Sequence, residues 1–166
     1  MGTGADRPMG SQLAVAVMVA VYGLAGCAVD GVDSPREIEH ALLDSVRVYL
    51  VELRAMDHEI GEAVMADTVS SQRIVPLIAR RFRPTVSQLR VRMTALDTTD
   101  AVGPLRRHFL QYLSTRLEAY DAAIAGLAQD RPELYNVFSR KQAEADRLGR
   151  DLQSEIREVR QRVGHR

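Results

Sequence analysis

The chain has 166 residues, enough for one domain with a core of its own, so neither a metal nor a disulfide is needed to hold it together. Its formal net charge is zero, which leaves no global basic field to draw it onto nucleic acid. A single cysteine excludes an intrachain disulfide, and a composition poor in aromatics but rich in Ala, Leu, Val, Arg and Glu favours helix.

Met1 to Pro8 is polar and carries one base, Arg7. Leu13 to Ala25 is apolar but for Tyr22 and Gly23, and uncharged. Such a run fits the apolar stretch of a signal peptide, about 7–15 residues, better than the roughly 20 needed to cross a bilayer. It ends in Leu24-Ala25-Gly26-Cys27. This tetrapeptide resembles the lipobox of bacterial prolipoproteins. The resemblance implies a diacylglyceryl group on the Cys27 sulfur. It also implies cleavage between Gly26 and Cys27 by a signal peptidase that reads Leu24, Ala25 and Gly26. Residues 1–26 are then a lipoprotein signal peptide and 27–33 a lipidated cysteine with a short linker. The domain is 34–166, exported and held by lipid at the outer face of the cell membrane. The competing reading is an uncleaved signal anchor with Cys27 an ordinary thiol.

The linker from Ala28 to Asp33 reaches about 20 Å when fully extended, so the domain sits close to its membrane. Helix one opens at Ser34-Pro35-Arg36-Glu37, a capping box with proline in the first turn. Its apolar stripe is Ile38, Leu42, Val46, Tyr49, Leu53, Met56, Ile60 and Val64, and it is expected to run to about Val69. Ser70 to Gln72 reads as a turn. Helix two follows with Ile74, Ile78, Phe82, Val86, Leu89, Met93 and Leu96, and Pro84 predicts a kink or break near Phe82 to Pro84. After a turn at Asp97 to Asp100, helix three carries Leu105, Phe109, Leu113, Leu117, Tyr120, Ile124 and Leu127. Asp130-Arg131-Pro132-Glu133 has the pattern of another capping box, with Asp130 as cap. Helix four carries Leu134, Phe138, Ala145, Leu148, Leu152, Ile156, Val159 and Val163, and Gly164 is a terminator. No alternating strand pattern occurs. The expected fold is all-α, an up-down-up-down antiparallel four-helix bundle with a kinked or broken second helix.

Chemistry-bearing patterns are few. A ferritin-like dimetal site wants two Glu-x-x-His motifs and two further glutamates. Glu37 and His40 supply one motif, and the pairs His40/Asp44 and His58/Glu62 offer too few ligands, so surface ion pairs are expected there and no metal or cofactor. There is no Gly-x-Ser-x-Gly elbow and no phosphate-cradling glycine loop, so no enzymatic activity is expected.

Charge is more informative. Ser34 to Thr68 holds eight acids against three bases, and Val69 to Asp97 six bases against one acid. One reading is that these adjacent helices attract and set the bundle's register. The sharper one makes Arg80, Arg81, Arg83 and Arg90 a patch for anionic lipid headgroups or an envelope protein, with nucleic acid excluded by export and scarce aromatics. Interspersed charges on the fourth helix, such as Lys141, Glu144, Arg147 and Asp151, read as a solvated face before they read as a coiled-coil partner surface.

In general form (lipobox, short linker, charged helical domain) the chain resembles small actinobacterial lipoproteins, and its single lysine beside many arginines suits a GC-rich genome. The expected function is a membrane-anchored, non-enzymatic interaction or structural module. The alternative is a carrier whose apolar interior opens to hold a lipid or another small molecule between the helices, with Pro84 and the adaptable Met56, Met65 and Met93 permitting that opening.

Overall fold

The computed structural model describes residues 34–65 and 71–164. The lipobox residues Leu24, Ala25, Gly26 and Cys27, the linker to Asp33, and the expected helix end at Val69 lie outside the described residues. Every regular element among the described residues is helical. They are α1 (Pro35–Met65), α2 (Ser71–Leu77), a π-helical turn (Ile78–Phe82), α3 (Arg83–Ala95), α4 (Gly103–Ala128) and α5 (Glu133–Gly164).

The head of α1 is capped as its sequence implies. The Glu37 amide donates to Ser34 Oγ at 3.4 Å, and the Ser34 amide donates to Glu37 Oε2 at 2.7 Å. These reciprocal bonds satisfy donors that a helix terminus leaves unpaired. The same contacts hold the Glu37 carboxyl below its ordinary pKa, chiefly the bond from the Ser34 backbone.

The second helical stretch begins earlier than expected, since Ser71 and Gln72 are already in α2. Pro76 is accommodated within α2. The chain does not break at Pro84. It stays helical from Ser71 to Ala95 and passes through the π-helical turn just before Arg83. The Arg83 amide donates to the Ile78 carbonyl, five residues back. Pro84, in the first turn of α3, has no N–H, and its ring would crowd the carbonyl four residues earlier in an ordinary α-helix. A wider turn immediately upstream removes that conflict while keeping the neighbouring groups bonded.

Asp130 takes a place other than the expected one. Its φ of 51° is left-handed, and it ends α4 instead of capping α5. The Arg131 amide donates to the Gly126 carbonyl at 2.9 Å, and the Asp130 amide donates to the Leu127 carbonyl at 3.5 Å. This is the Schellman arrangement, in which a residue with positive φ turns the chain and two carbonyls of the last turn gain donors. Aspartate tolerates that conformation better than most residues because its short side chain bonds locally.

The apolar stripes meet in one core. Val46, Leu53, Phe82, Val86, Met93, Leu105, Phe109, Leu113 and Tyr120 are all buried. Each large apolar side chain so buried contributes roughly 1.5–3 kcal/mol. The Phe109 ring stacks on Tyr49 with centroids 6.3 Å apart and lies 5.9 Å from Tyr112. Cross-pairs relate the helix ends. Glu39 accepts from Thr99 Oγ1 at 3.0 Å, Glu59 pairs with Arg81 at 2.6 Å, and Arg106 donates to the Leu96 carbonyl at 2.6 Å. On α5, Lys141 pairs with Glu118 at 2.8 Å and Glu155 with His108 at 2.7 Å.

Candidate functional site

Helix α5 lies along α4 for most of its length and touches α1 sparsely. Small residues lie along that contact. Ala145 and Gly149 are buried on the α4 side, and a Cβ on Gly149 would stand 3.5 Å from the Tyr112 ring. The close approach to α4 leaves a groove between α1 and α5.

The groove has a volume of about 540 Å³ and is lined by Leu43, Arg47, Leu50, Val51 and Arg54 of α1 and by Gln153, Ile156, Arg157 and Arg160 of α5. Its floor is aliphatic and its rims carry four arginines, with no carboxylate in the lining. The spacing places all five α1 residues on one face, at steps of three, four and seven. Leu43 and Leu50 are buried at its base, whereas Val51 is 61% exposed.

The groove continues into a smaller depression of about 180 Å³, lined by Leu50, Arg54, Asp57, Tyr112, Asp146, Gly149, Arg150 and Gln153. Beneath it lies Arg116, fully buried in the middle of α4. Its guanidinium bonds the Asp57 carboxylate, donates to Tyr112 Oη at 2.9 Å and to Tyr120 Oη at 3.1 Å, and lies 5.2 Å from the centroid of the Tyr112 ring. Burial opposes the charge on Arg116, but the two tyrosine oxygens and Asp57 outweigh it, and the pKa rises above the ordinary arginine value. Burial also pushes the Tyr112 phenol up and takes that of Tyr120 to about 12, against the pull of Arg116.

The four arginines expected to form a patch, Arg80, Arg81, Arg83 and Arg90, are all exposed. Arg81 pairs with Glu59 of α1 and Arg83 with Asp121 of α4, while Arg90 lines a shallow surface recess with Val91, Thr94 and Ala95. Arg81 also lies 5.7 Å from the Phe82 ring centroid. The attraction between the acidic first helix and the basic second one is thus realised at Glu59–Arg81, and Arg83 turns to α4 instead. His58 pairs with Glu62 on the exposed face of α1 at 3.3 Å. Among the described residues no three His, Cys, Asp or Glu side chains gather as a metal-holding group. Nor is any described helix long and apolar enough to cross a membrane.

The stripe reading passed over both the groove and Arg116. The groove had a signal. Leu43, Leu50 and Val51 form a second apolar column on α1, flanked by Arg47 and Arg54. Arg116 had a fainter one, since Tyr112, Arg116 and Tyr120 stand at steps of four on one helix face.

No family model matches the chain, and no curated protein and no solved structure is similar to it.

Proposed function

We propose that this chain is a lipid-anchored, non-enzymatic helical module of the cell envelope that works by binding. The observation that carries the binding reading is the α1–α5 groove, an aliphatic floor between arginine rims. The anchor rests on Leu24-Ala25-Gly26-Cys27 after a short apolar run. The helices form an up-down-up-down antiparallel bundle, with the second helix bent at its π-helical turn. The pairs Glu39–Thr99, Glu59–Arg81, Glu118–Lys141 and His108–Glu155 support that order. Glu39 near the start of α1 meets Thr99 just past the end of α3, and Glu59 late in α1 meets Arg81 in the first half of the second stretch. Glu118 in the second half of α4 meets Lys141 in the first half of α5, and His108 early in α4 meets Glu155 late in α5.

Intact mass of the protein extracted from membranes of its native host tests the anchor. A chain starting at Cys27 and carrying acyl mass, with that mass absent in Cys27→Ala, is the expected result. An unmodified soluble chain would overturn it.

A further inference from the structure

We propose that the α1–α5 groove is a binding site for a single-chain anionic amphiphile, with the alkyl chain on the aliphatic floor and the acidic head between the arginines. The proposal rests on the binding reading above and is independent of the anchor, since the groove can stay empty while Cys27 is acylated, and the reverse.

Charge is the first argument. Arg47 and Arg54 on α1 face the same groove as Arg157 and Arg160 on α5. Elsewhere the fold sets opposite charges against each other across its helices, at Glu59–Arg81, Asp121–Arg83 and Glu118–Lys141. Here it sets like against like. Among the described residues none of these four arginines pairs with a carboxylate. Arg157 donates only to the Gln153 carbonyl at 3.3 Å and to Ser154 Oγ at 3.2 Å. An anion between the rims would relieve the repulsion and accept charge-assisted, bidentate hydrogen bonds.

Shape is the second argument. Leu43 to Arg54 spans about 16 Å of helix. The groove's volume of about 540 Å³ over that length gives an average section of about 34 Å², wide enough for one alkyl chain. That volume lies within the usual range of small-molecule sites. The floor residues Leu43, Leu50, Val51 and Ile156 supply the apolar contact, and the exposed Val51 gains cover.

The test is photo-labelling of the full chain by a diazirine-bearing palmitate in phosphatidylcholine vesicles, with the labelled peptides mapped by mass spectrometry. Labelling is expected in the peptides containing residues 43–54 and 153–160. Palmitate or palmitoyl lysophosphatidic acid should compete, and whichever competes better identifies the head as carboxylate or phosphate. Zwitterionic palmitoyl lysophosphatidylcholine should not. Arg47→Glu with Arg157→Glu should lower labelling about tenfold or more, because each loses charged hydrogen bonds. Arg140→Glu, exposed on α5 away from the groove, should leave it unchanged. Helical circular dichroism checks that the variants fold, and the milder pair Arg47→Gln with Arg157→Gln serves if the reversals do not. Labelling spread over the other helices, equal competition by the zwitterionic lipid, or indifference to the groove substitutions would each overturn the proposal.

Discussion

Arg116, at the centre of α4, is fully buried, and its guanidinium reaches across to Asp57 of α1, whose carboxylate keeps 35% of its side-chain surface in solvent. The asymmetry has consequences. Removing one partner of a buried ion pair costs about 3–5 kcal/mol, because the other charge is left uncompensated. Asp57→Ala strands a cation with no access to water and should fall in that range. Arg116→Met leaves an acid that can rehydrate, but it also takes the donor from the buried Tyr112 and Tyr120 oxygens, at about 1–3 kcal/mol each. Urea unfolding of the two variants measures both losses, and equal small losses would mean that the pair is open in solution.

The phenols beside Arg116 make stability fall at high pH. An unfolded tyrosine titrates near pH 10, whereas burial holds Tyr120 protonated to about 12, with Tyr112 shifted the same way. The folded form therefore binds the proton more tightly. Its advantage is whole below about pH 10 and is lost as pH rises through the folded value. Denaturant midpoints should drop steadily over that window, and Tyr120→Phe should flatten the drop.

Ser34 starts α1 through its bonds with Glu37. Ser34→Ala removes the side-chain acceptor and should destabilise the protein by about 1 kcal/mol, while Ser34→Gly should cost only a few tenths. A thermal-unfolding comparison of the two separates a cap from a bystander.

Gly61 lies inside α1 with nothing within 4 Å of where a Cβ would stand. Alanine there fills open space and removes the entropic penalty of helical glycine. Gly61→Ala should stabilise by about 0.5–1 kcal/mol. A loss in chemical denaturation would show that this turn of α1 is not helical in solution.

Asp130 holds its left-handed conformation as the residue that turns the chain after α4. Asp130→Gly should be neutral or stabilising, and Asp130→Val should destabilise by about 1–2 kcal/mol, since a side chain branched at Cβ fits that region poorly. The contrast between the two, read from melting temperatures, distinguishes backbone strain from loss of a charge.

The helices were legible in the residues because their signals are local. Apolar steps of three and four marked the buried faces of all four stretches, from Val46 and Leu53 on α1 to Leu152 and Val159 on α5. Ser34 and Glu37 announced the first cap three positions apart. The lipobox proposed at Leu24 to Cys27 rests on four adjacent residues and on no tertiary contact. What spacing along one helix could not supply is which second face meets which neighbour. Pro84 signalled a conflict, but whether the backbone breaks or widens depends on the packing of Ile78 and Phe82, which are buried on either side of the π-helical turn and hold it in the core. Asp130 matched two local motifs, and only the path of the chain from α4 into α5 chose between them. The groove exists because α5 packs along α4 and touches α1 only sparsely, and Arg116 is buried because Asp57, nearly sixty residues away, supplies its counter-charge. Such long-range pairings have no period in the sequence, and the energy that selects them appears only when the helices have packed.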